Sequence, residues 1–293
     1  MDRLAVRGLT RTMTNTSSHR TQGTSDLTVI LGGTGKTGRR IARRLGEQGR
    51  AIRIGSRFAT PRFDWQEPQT WAPVLRGATS VYVAYSPDAG FPGAAEAIGS
   101  LATLAAELGA RRVVLLSGRG EEGARRSEDA VQRSGAEWTI VRSSFFAQNF
   151  SEDFLADAVG SGVVAFPADE VTEPFIDIED IADVAAAALT EDGHADRVYE
   201  VTGPRLLTFA EAVAEIAAAT GREIRYVPIT ATEFVSGMLG QGVPRDFAKA
   251  LADLFEAVLD GRNSSLTDGV HAAIGRAPTD FAAYAKAAAA EGV

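Results

Sequence analysis

The sequence predicts an α/β fold, a doubly wound parallel sheet of the Rossmann kind with a smaller C-terminal substrate lobe. Three observations predict it. From Leu27 onward short β-branched apolar runs alternate with stretches of helical length. The first run opens directly into a glycine-rich loop, "GGTGKTG" (32–38). The runs are also apolar throughout, as strands covered on both faces are, and do not alternate apolar with polar.

"LTVIL" (27–31) is the first strand, and the loop after it poses a choice. Gly-Lys-Thr suggests a triphosphate-binding P-loop, but that motif needs a glycine five positions before Gly35, where the chain has Ile30. As a dinucleotide loop, Gly32, Gly35 and Gly38 recur at every third position, and Gly33 to Gly38 also fits G-x-G-x-x-G. Glycines let the backbone turn tightly against a pyrophosphate, and the following helix start offers unpaired N–H groups and a positive dipole end. Gly32, Thr34, Gly35, Lys36, Thr37 and Gly38 are therefore assigned to a cofactor site.

A helix over about 38–49 leads to the second strand, "AIRI" (51–54). NAD enzymes usually hold the ribose hydroxyls with an acidic residue just beyond this strand; here Ser56 and Arg57 stand there. A guanidinium pairs with a 2′-phosphate, so the cofactor expected is NADP, with NADPH preferred over NADH, and Lys36 can add a second positive charge.

"SVYVAY" (80–85), a helix near 93–108, "RVVLL" (112–116), a helix near 121–134 and "WTIV" (138–141) complete the regular βαβ pattern. Ligands of such sheets sit at the carboxyl ends of strands. Tyr82 and Tyr85 follow the strand's alternation, and the choice between core or rim aromatic and substrate contact stays open. Glu121 and Glu122 read as a helix's first turn, complementing its dipole. Glu128 is either a solvated charge or a buried partner of Arg142, and the place of Arg142 directly after an apolar strand favours the second.

Beyond Arg142 the pattern is less regular: "VVAF", "PFIDIEDIADVAAAAL", "RVYEVTGP", "TFAEAVAEIAAATG" and "EIRYVPI", then an alanine-rich helical tail. Asp180 or Glu179 is expected to start the helix 181–189, and Thr208 the next one. The organisation expected is an N-terminal disordered arm (1–26), a dinucleotide-binding domain (27–155), and the remaining strands with a substrate lobe (156–293). The arm, rich in Arg, Ser and Thr, also fits an overlong start with Met13 as an internal alternative, or a transit peptide.

Composition narrows the function classes. A net charge of −8 argues against a nucleic-acid surface, and no apolar run approaches the roughly 20 residues of a membrane helix. The chain has no cysteine, hence no thiol nucleophile or thiolate metal site, and His19, His194 and His271 are too scattered for a metal cluster. A cytoplasmic protein acting on a small aromatic or conjugated substrate, without metal, nucleic acid or membrane, is expected; the oligomeric state stays open.

The motifs "GGTGKTG", "FDWQEPQTW", "VYVAYSP", "RRVVLLSGRG", "SGAEWTIVRSSFFAQNF", "PFIDIEDIADVAAAALT", "YEVTGP" and "GRAPTDFAAYA" span most of the chain. In them it resembles the NmrA-like, atypical branch of the short-chain dehydrogenase/reductase superfamily, and within it the NAD(P)H:quinone-reductase-like proteins. The resemblance implies an extended dinucleotide-binding domain with Asp64 and Trp65 near the adenine and Tyr85, Ser86 and Pro87 beside the nicotinamide. Ser117 and the segment of Phe145, Phe146 and Asn149 would border the substrate cleft. Phe145, Phe146 and Phe150 read as a packing cluster, although a flat apolar wall would suit an aromatic substrate.

Catalytic members of the superfamily use Tyr-x-x-x-Lys as proton donor and pKa-lowering partner. None of the five tyrosines here has a lysine four residues on, and the register from "SGAEWTIVR" places Ala124 and Glu128 at those two positions. Tyr85 and Ser117 remain as candidate catalytic hydrogen-bond donors. The expected activity is NADPH-dependent transfer of hydride to a quinone or conjugated carbonyl; the alternative is a non-catalytic NADP-binding redox sensor of the NmrA type.

Overall fold

The computed structural model describes residues 26–292. The arm expected over 1–26 lies outside them, Asp26 apart. The first half runs β1 (Leu27–Leu31), α1 (Lys36–Glu47), β2 (Ala51–Gly55), a short α2 (Trp71–Leu75), β3 (Ala78–Val83), α3 (Ala94–Glu107), β4 (Arg112–Gly118), α4 (Glu122–Gln132) and β5 (Glu137–Ser143). Then come α5 (Asn149–Glu152), α6 (Ala156–Ser161), β6 (Val163–Phe166), β7 (Thr172–Glu173), α7 (Ile178–Thr190), β8 (Arg197–Val201), β9 (Leu207–Thr208) and α8 (Phe209–Thr220). β10 (Arg225–Pro228) and helices α9 (Ala231–Gly240), α10 (Arg245–Val258), α11 (Gly269–Ile274) and α12 (Phe281–Ala290) complete the chain.

Six strands pair in the order β2-β1-β3-β4-β5-β8, all parallel. The order reverses beside β1, which creates the crevice where doubly wound sheets take ligands. Val29, Val81, Val113 and Ile140 on one face pack with α3 side chains such as Ile98 and Leu101. Ile30, Tyr82, Val114 and Val141 on the other pack with Ile41 and Leu45 of α1 and Ile181 and Ala185 of α7. Burial on both faces explains why these strands read as unbroken apolar runs.

A third cluster forms beside the sheet, where Phe150, Phe166, Phe175, Phe209 and Phe281 pack with α8 and α12. Two small sheets frame it, β6 with β10 and β7 with β9. Arg40 of α1 ties the two halves together through Glu152 and Glu179 at 2.6 Å each.

Two helix starts contrast. Thr208 caps α8 as expected, accepting from Glu211 N while the Glu211 side chain returns to Thr208 N. The helix expected to begin at Asp180 or Glu179 begins at Ile178, capped by Asp177, whose carboxylate accepts from Glu179 N at 2.8 Å. "DIED" offers three carboxylates, and tertiary contacts divide them: Glu179 reaches Arg40, while buried Asp180 accepts from Thr279 N and Oγ1.

Candidate active-site cleft

The turn after β1 needs its glycines for different reasons. Gly32 has φ +73°, a conformation open to glycine. A Cβ on Gly38 would lie 2.3 Å from the Gly32 carbonyl oxygen, so this glycine lets α1 seat against the turn, while Gly32 and Gly35 line the cleft. Gly35 stands at the start of α1, where no side chain caps the helix and no acidic residue occupies the first turn. The helix N-terminus therefore keeps its donors and its positive end for an anion.

From this turn a cleft of about 840 Å³ runs along the carboxyl ends of the strands. It brings together Gly32, Thr34, Gly35, Lys36, Thr37, Arg57, Asp64, Trp65, Tyr85, Ser86, Pro87, Ser117, Phe145, Phe146 and Asn149, all singled out from sequence. Arg57 is exposed, and among the described residues no carboxylate pairs with it. Arg62 nearby is instead bound to Asp64 and Glu67. Trp65 packs between Phe63 and Tyr85, with ring centroids 5.0 and 4.8 Å away. Burial, reinforced by Glu96, pushes the Tyr85 phenol above its ordinary pKa, so it stays a neutral donor. Tyr82 is a core residue whose hydroxyl donates to Thr37 Oγ1 at 2.9 Å.

Lys36 turns into the cleft, donating to Asn149 Oδ1 at 2.8 Å, pairing with Asp153 and lying over the Phe146 ring. The three phenylalanines part company. Phe150 is buried in the lobe, Phe145 meets Phe209 edge-on at 5.1 Å, and Phe146 joins the cluster on the sheet's other side.

Strand register explains the polar floor. Ser117 of β4 lies beside Arg142 of β5, and Arg142 beside Glu200 of β8, so the three share one face. Glu128 of α4 descends on that row: it accepts from Ser117 Oγ at 2.6 Å and from Arg142 Nε and Nη2 at 2.8 and 2.5 Å. Burial works against the Arg142 charge, but Glu128 and Glu200 outweigh it and hold its pKa above the ordinary value. Ala124, at the superfamily's tyrosine position, is buried.

Several lining residues carried no sequence signal as site residues: Asp88, Arg119, Glu121, Glu173, and Phe247, Leu251 and Phe255 of α10. The apolar spacing of α10 marks a buried face without saying what it faces. Glu122 is an exposed first-turn acid as expected, but Glu121 is not. Its carboxyl is folded against Gly118 and Gly90 beside Asp88, and burial, then Asp88, then Glu128, push it up to about 9.

A parallel sheet with an uncapped glycine turn at its switch point and a cleft across its carboxyl ends defines the class: a dinucleotide-binding Rossmann protein. The chain is 32% identical over 284 residues to the NAD(P)H azoreductase of Xenophilus azovorans, covering 89% of this chain and 98% of that protein. It is 34% identical over 283 residues to the uncharacterized oxidoreductase YesF of Bacillus subtilis, covering 89% and 95%. The fold matches that of Citrobacter sp. triphenylmethane reductase complexed with NADP(H), with a TM-score of 0.70 at 20% identity over 89% of this chain and 99% of that one. The NADPH-dependent quinone oxidoreductase QOR2 of Escherichia coli complexed with NADPH gives 0.71, also at 20% identity, over 89% and 99%. No protein-family profile matches the chain. The chain belongs to the NmrA-like, atypical branch of the short-chain dehydrogenase/reductase superfamily.

Proposed function

We propose that this NAD(P)H-dependent oxidoreductase prefers NADPH and passes its hydride to a quinone or other conjugated carbonyl compound. In this reading residues 27–155 form the dinucleotide-binding part, 156–293 complete the sheet and add the substrate lobe, and the protein works in the cytoplasm. The backbone from Gly32 to Thr37 meets the pyrophosphate at the start of α1, Arg57 meets the 2′-phosphate, and Asp64 and Trp65 flank the adenine; Lys36, expected beside Arg57, is instead engaged by Asn149 and Asp153. Tyr85, Ser86, Pro87 and Ser117 border the nicotinamide, and Phe145, Phe146 and Asn149 border the substrate.

The observation that carries this reading is the continuity of the cleft, which joins the uncapped helix start to a wall of phenylalanines. The glycine cradle fits a pyrophosphate, because a side chain at Gly35 would fill the space where backbone meets phosphate. The bound cofactor supplies the hydride. The chain's own residues bind it, orient it along the strand ends and offer an apolar surface to the acceptor. With no tyrosine–lysine acid, electrophiles that spread the incoming charge over a conjugated system are favoured over simple ketones.

The test is absorbance of NADPH mixed with the purified protein and a panel of quinones, enones and aliphatic ketones. Consumption with quinones and enones, strongly preferred over ketones, is the expected result; equal rates with unconjugated ketones would overturn the substrate class. The missing tyrosine–lysine pair favours a second reading, the redox sensor, which tight NADPH binding with no consumption across the panel would select.

A further inference from the structure

Hydride addition to a neutral conjugated acceptor leaves an anion that needs a proton. Among the described residues, two buried side-chain polar atoms have no hydrogen-bond partner, Glu121 Oε2 and Glu173 Oε1, and both carboxyls line the cleft. Glu121 is accounted for by Asp88, with which it can share a proton. Glu173 has no such neighbour.

Its position is built. Glu173 is 1% exposed and stands on β7, paired antiparallel to β9 opposite Leu207. The Ser264 hydroxyl donates to the carbonyl of Thr172 and pins the strand. The cation acting on Glu173 is Arg119, yet four of the five N–H groups of that guanidinium are directed to other partners, and no ion pair with Glu173 forms among the described residues. Nε donates to Glu200 at 2.6 Å, Nη1 to the carbonyls of Asn263 and Ser265 at 2.7 and 2.8 Å, and Nη2 to Ser265 Oγ at 2.7 Å. Arg119 thus acts on Glu173 as a nearby charge and not as a hydrogen-bonded partner. The other elements around it bring the backbone N–H of Phe145, neutral Leu207 and Thr208 of β9, and neutral Asn263 and Ser264. A buried carboxyl without a counter-ion or full hydrogen bonding is destabilising, and such groups gather where they act.

We propose that Glu173 is the proton donor of the reaction, its carboxylic O–H facing the substrate atom that turns basic as hydride arrives. Hydride brings two electrons and a hydrogen to the electrophilic carbon, and the π bond of the conjugated system opens toward oxygen. The Glu173 O–H bond breaks, an O–H bond forms on the product, and the carboxylate recovers its proton from water. Net, one NADPH and one proton are consumed per acceptor reduced. Burial pushes the Glu173 carboxyl up to about 7, against the pull of Arg119 and the Phe145 N–H, so near neutral pH it both gives and regains a proton. The role rests on the hydride-transfer reading of the cleft.

The experiment has two arms on the full chain. Infrared spectra of the nucleotide-free protein, followed against pH, should show a carboxylic-acid C=O band that titrates near 7 and is missing in Glu173→Gln. NADPH oxidation with a quinone that wild type reduces should fall at least about 10²-fold in Glu173→Gln and lose its alkaline decline, with NADPH affinity by fluorescence unchanged. Glu173→Asp should restore part of the rate. An active wild type with an unaffected Glu173→Gln overturns the donor role alone, as does a Glu173 ionised throughout the neutral range. A wild type inert toward every acceptor overturns the hydride-transfer reading and the donor role with it.

Discussion

Ser117 Oγ donates to Glu128 Oε1 across 2.6 Å, so the hydroxyl proton at the end of β4 is directed away from the cleft and into a buried carboxylate. The same carboxylate holds Arg142. Ser117 therefore offers the cleft a lone pair, and Ser117→Ala is expected to lower turnover by less than about tenfold. Glu128→Ala should act on stability instead. It leaves Arg142 buried with Glu200 alone and should cost about 3 kcal/mol in urea unfolding. A loss under about 1 kcal/mol would show that the pair does not hold β4 to β5.

Arg57 is exposed at the rim of the cleft. If it meets a 2′-phosphate, Arg57→Ala should reduce the NADPH-to-NADH affinity ratio about tenfold or more, since one charge-assisted hydrogen bond is removed. Titration of both nucleotides into wild type and variant measures it, and an unchanged ratio would remove Arg57 from the site.

The two glycines at the start of α1 should separate binding from folding. At Gly35 an added Cβ meets only the Gly32 carbonyl oxygen, at 3.2 Å, whereas at Gly38 it meets the same oxygen at 2.3 Å and Gly33 Cα at 2.7 Å. Gly35→Leu is expected to abolish NADPH binding with a small change in Tm, and Gly38→Ala to lower Tm sharply. The reverse ranking would mean the turn is shaped differently.

Glu121 makes stability depend on pH with a definite sign. Its folded carboxyl is held up at about 9 against an ordinary 4.5, so between those values the folded chain keeps a proton that the unfolded chain has released. Stability from this group is therefore lost as pH rises through that window. Glu121→Gln has no proton to lose, and its stability relative to wild type should rise by about 1–3 kcal/mol between about pH 5 and about pH 9. A constant difference across that range would mean Glu121 is solvated and ionised.

What could be read beforehand follows from what leaves a local trace. The loop 32–38 is legible as a tight strand-to-helix turn because the close approach of Gly38 to Gly32 constrains glycine spacing, and the Glu128 to Arg142 pair because an arginine directly after an apolar strand needs a partner. Glu121 was legible as a helix-start acid, but its real environment comes from Asp88 and Gly90, about thirty residues away. Glu173 sits on a two-residue strand with no period to read. Asp177 was hidden among neighbouring carboxylates that differ only in tertiary contacts.

Helix α10 lines the cleft with Phe247, Leu251 and Phe255, and in the proposed reading these side chains face the substrate. Phe247 is 40% exposed, and its ring lies 6.1 Å from that of Phe91 on the loop after β3, so the pair spans from α10 to the strand ends. Phe247 is far in sequence from the glycine turn and is not packed in a core cluster, so truncating it removes aromatic surface without opening the fold. Phe247→Ala is expected to raise KM for a quinone about three- to tenfold, the range for losing one partly exposed aromatic contact, while NADPH affinity and Tm stay near wild type. Replacement by Trp should hold KM near wild type by keeping the flat surface. If Phe247→Ala weakens NADPH binding as much as quinone binding, α10 covers the cofactor, and the substrate must enter between the Phe145 side of the cleft and the lobe.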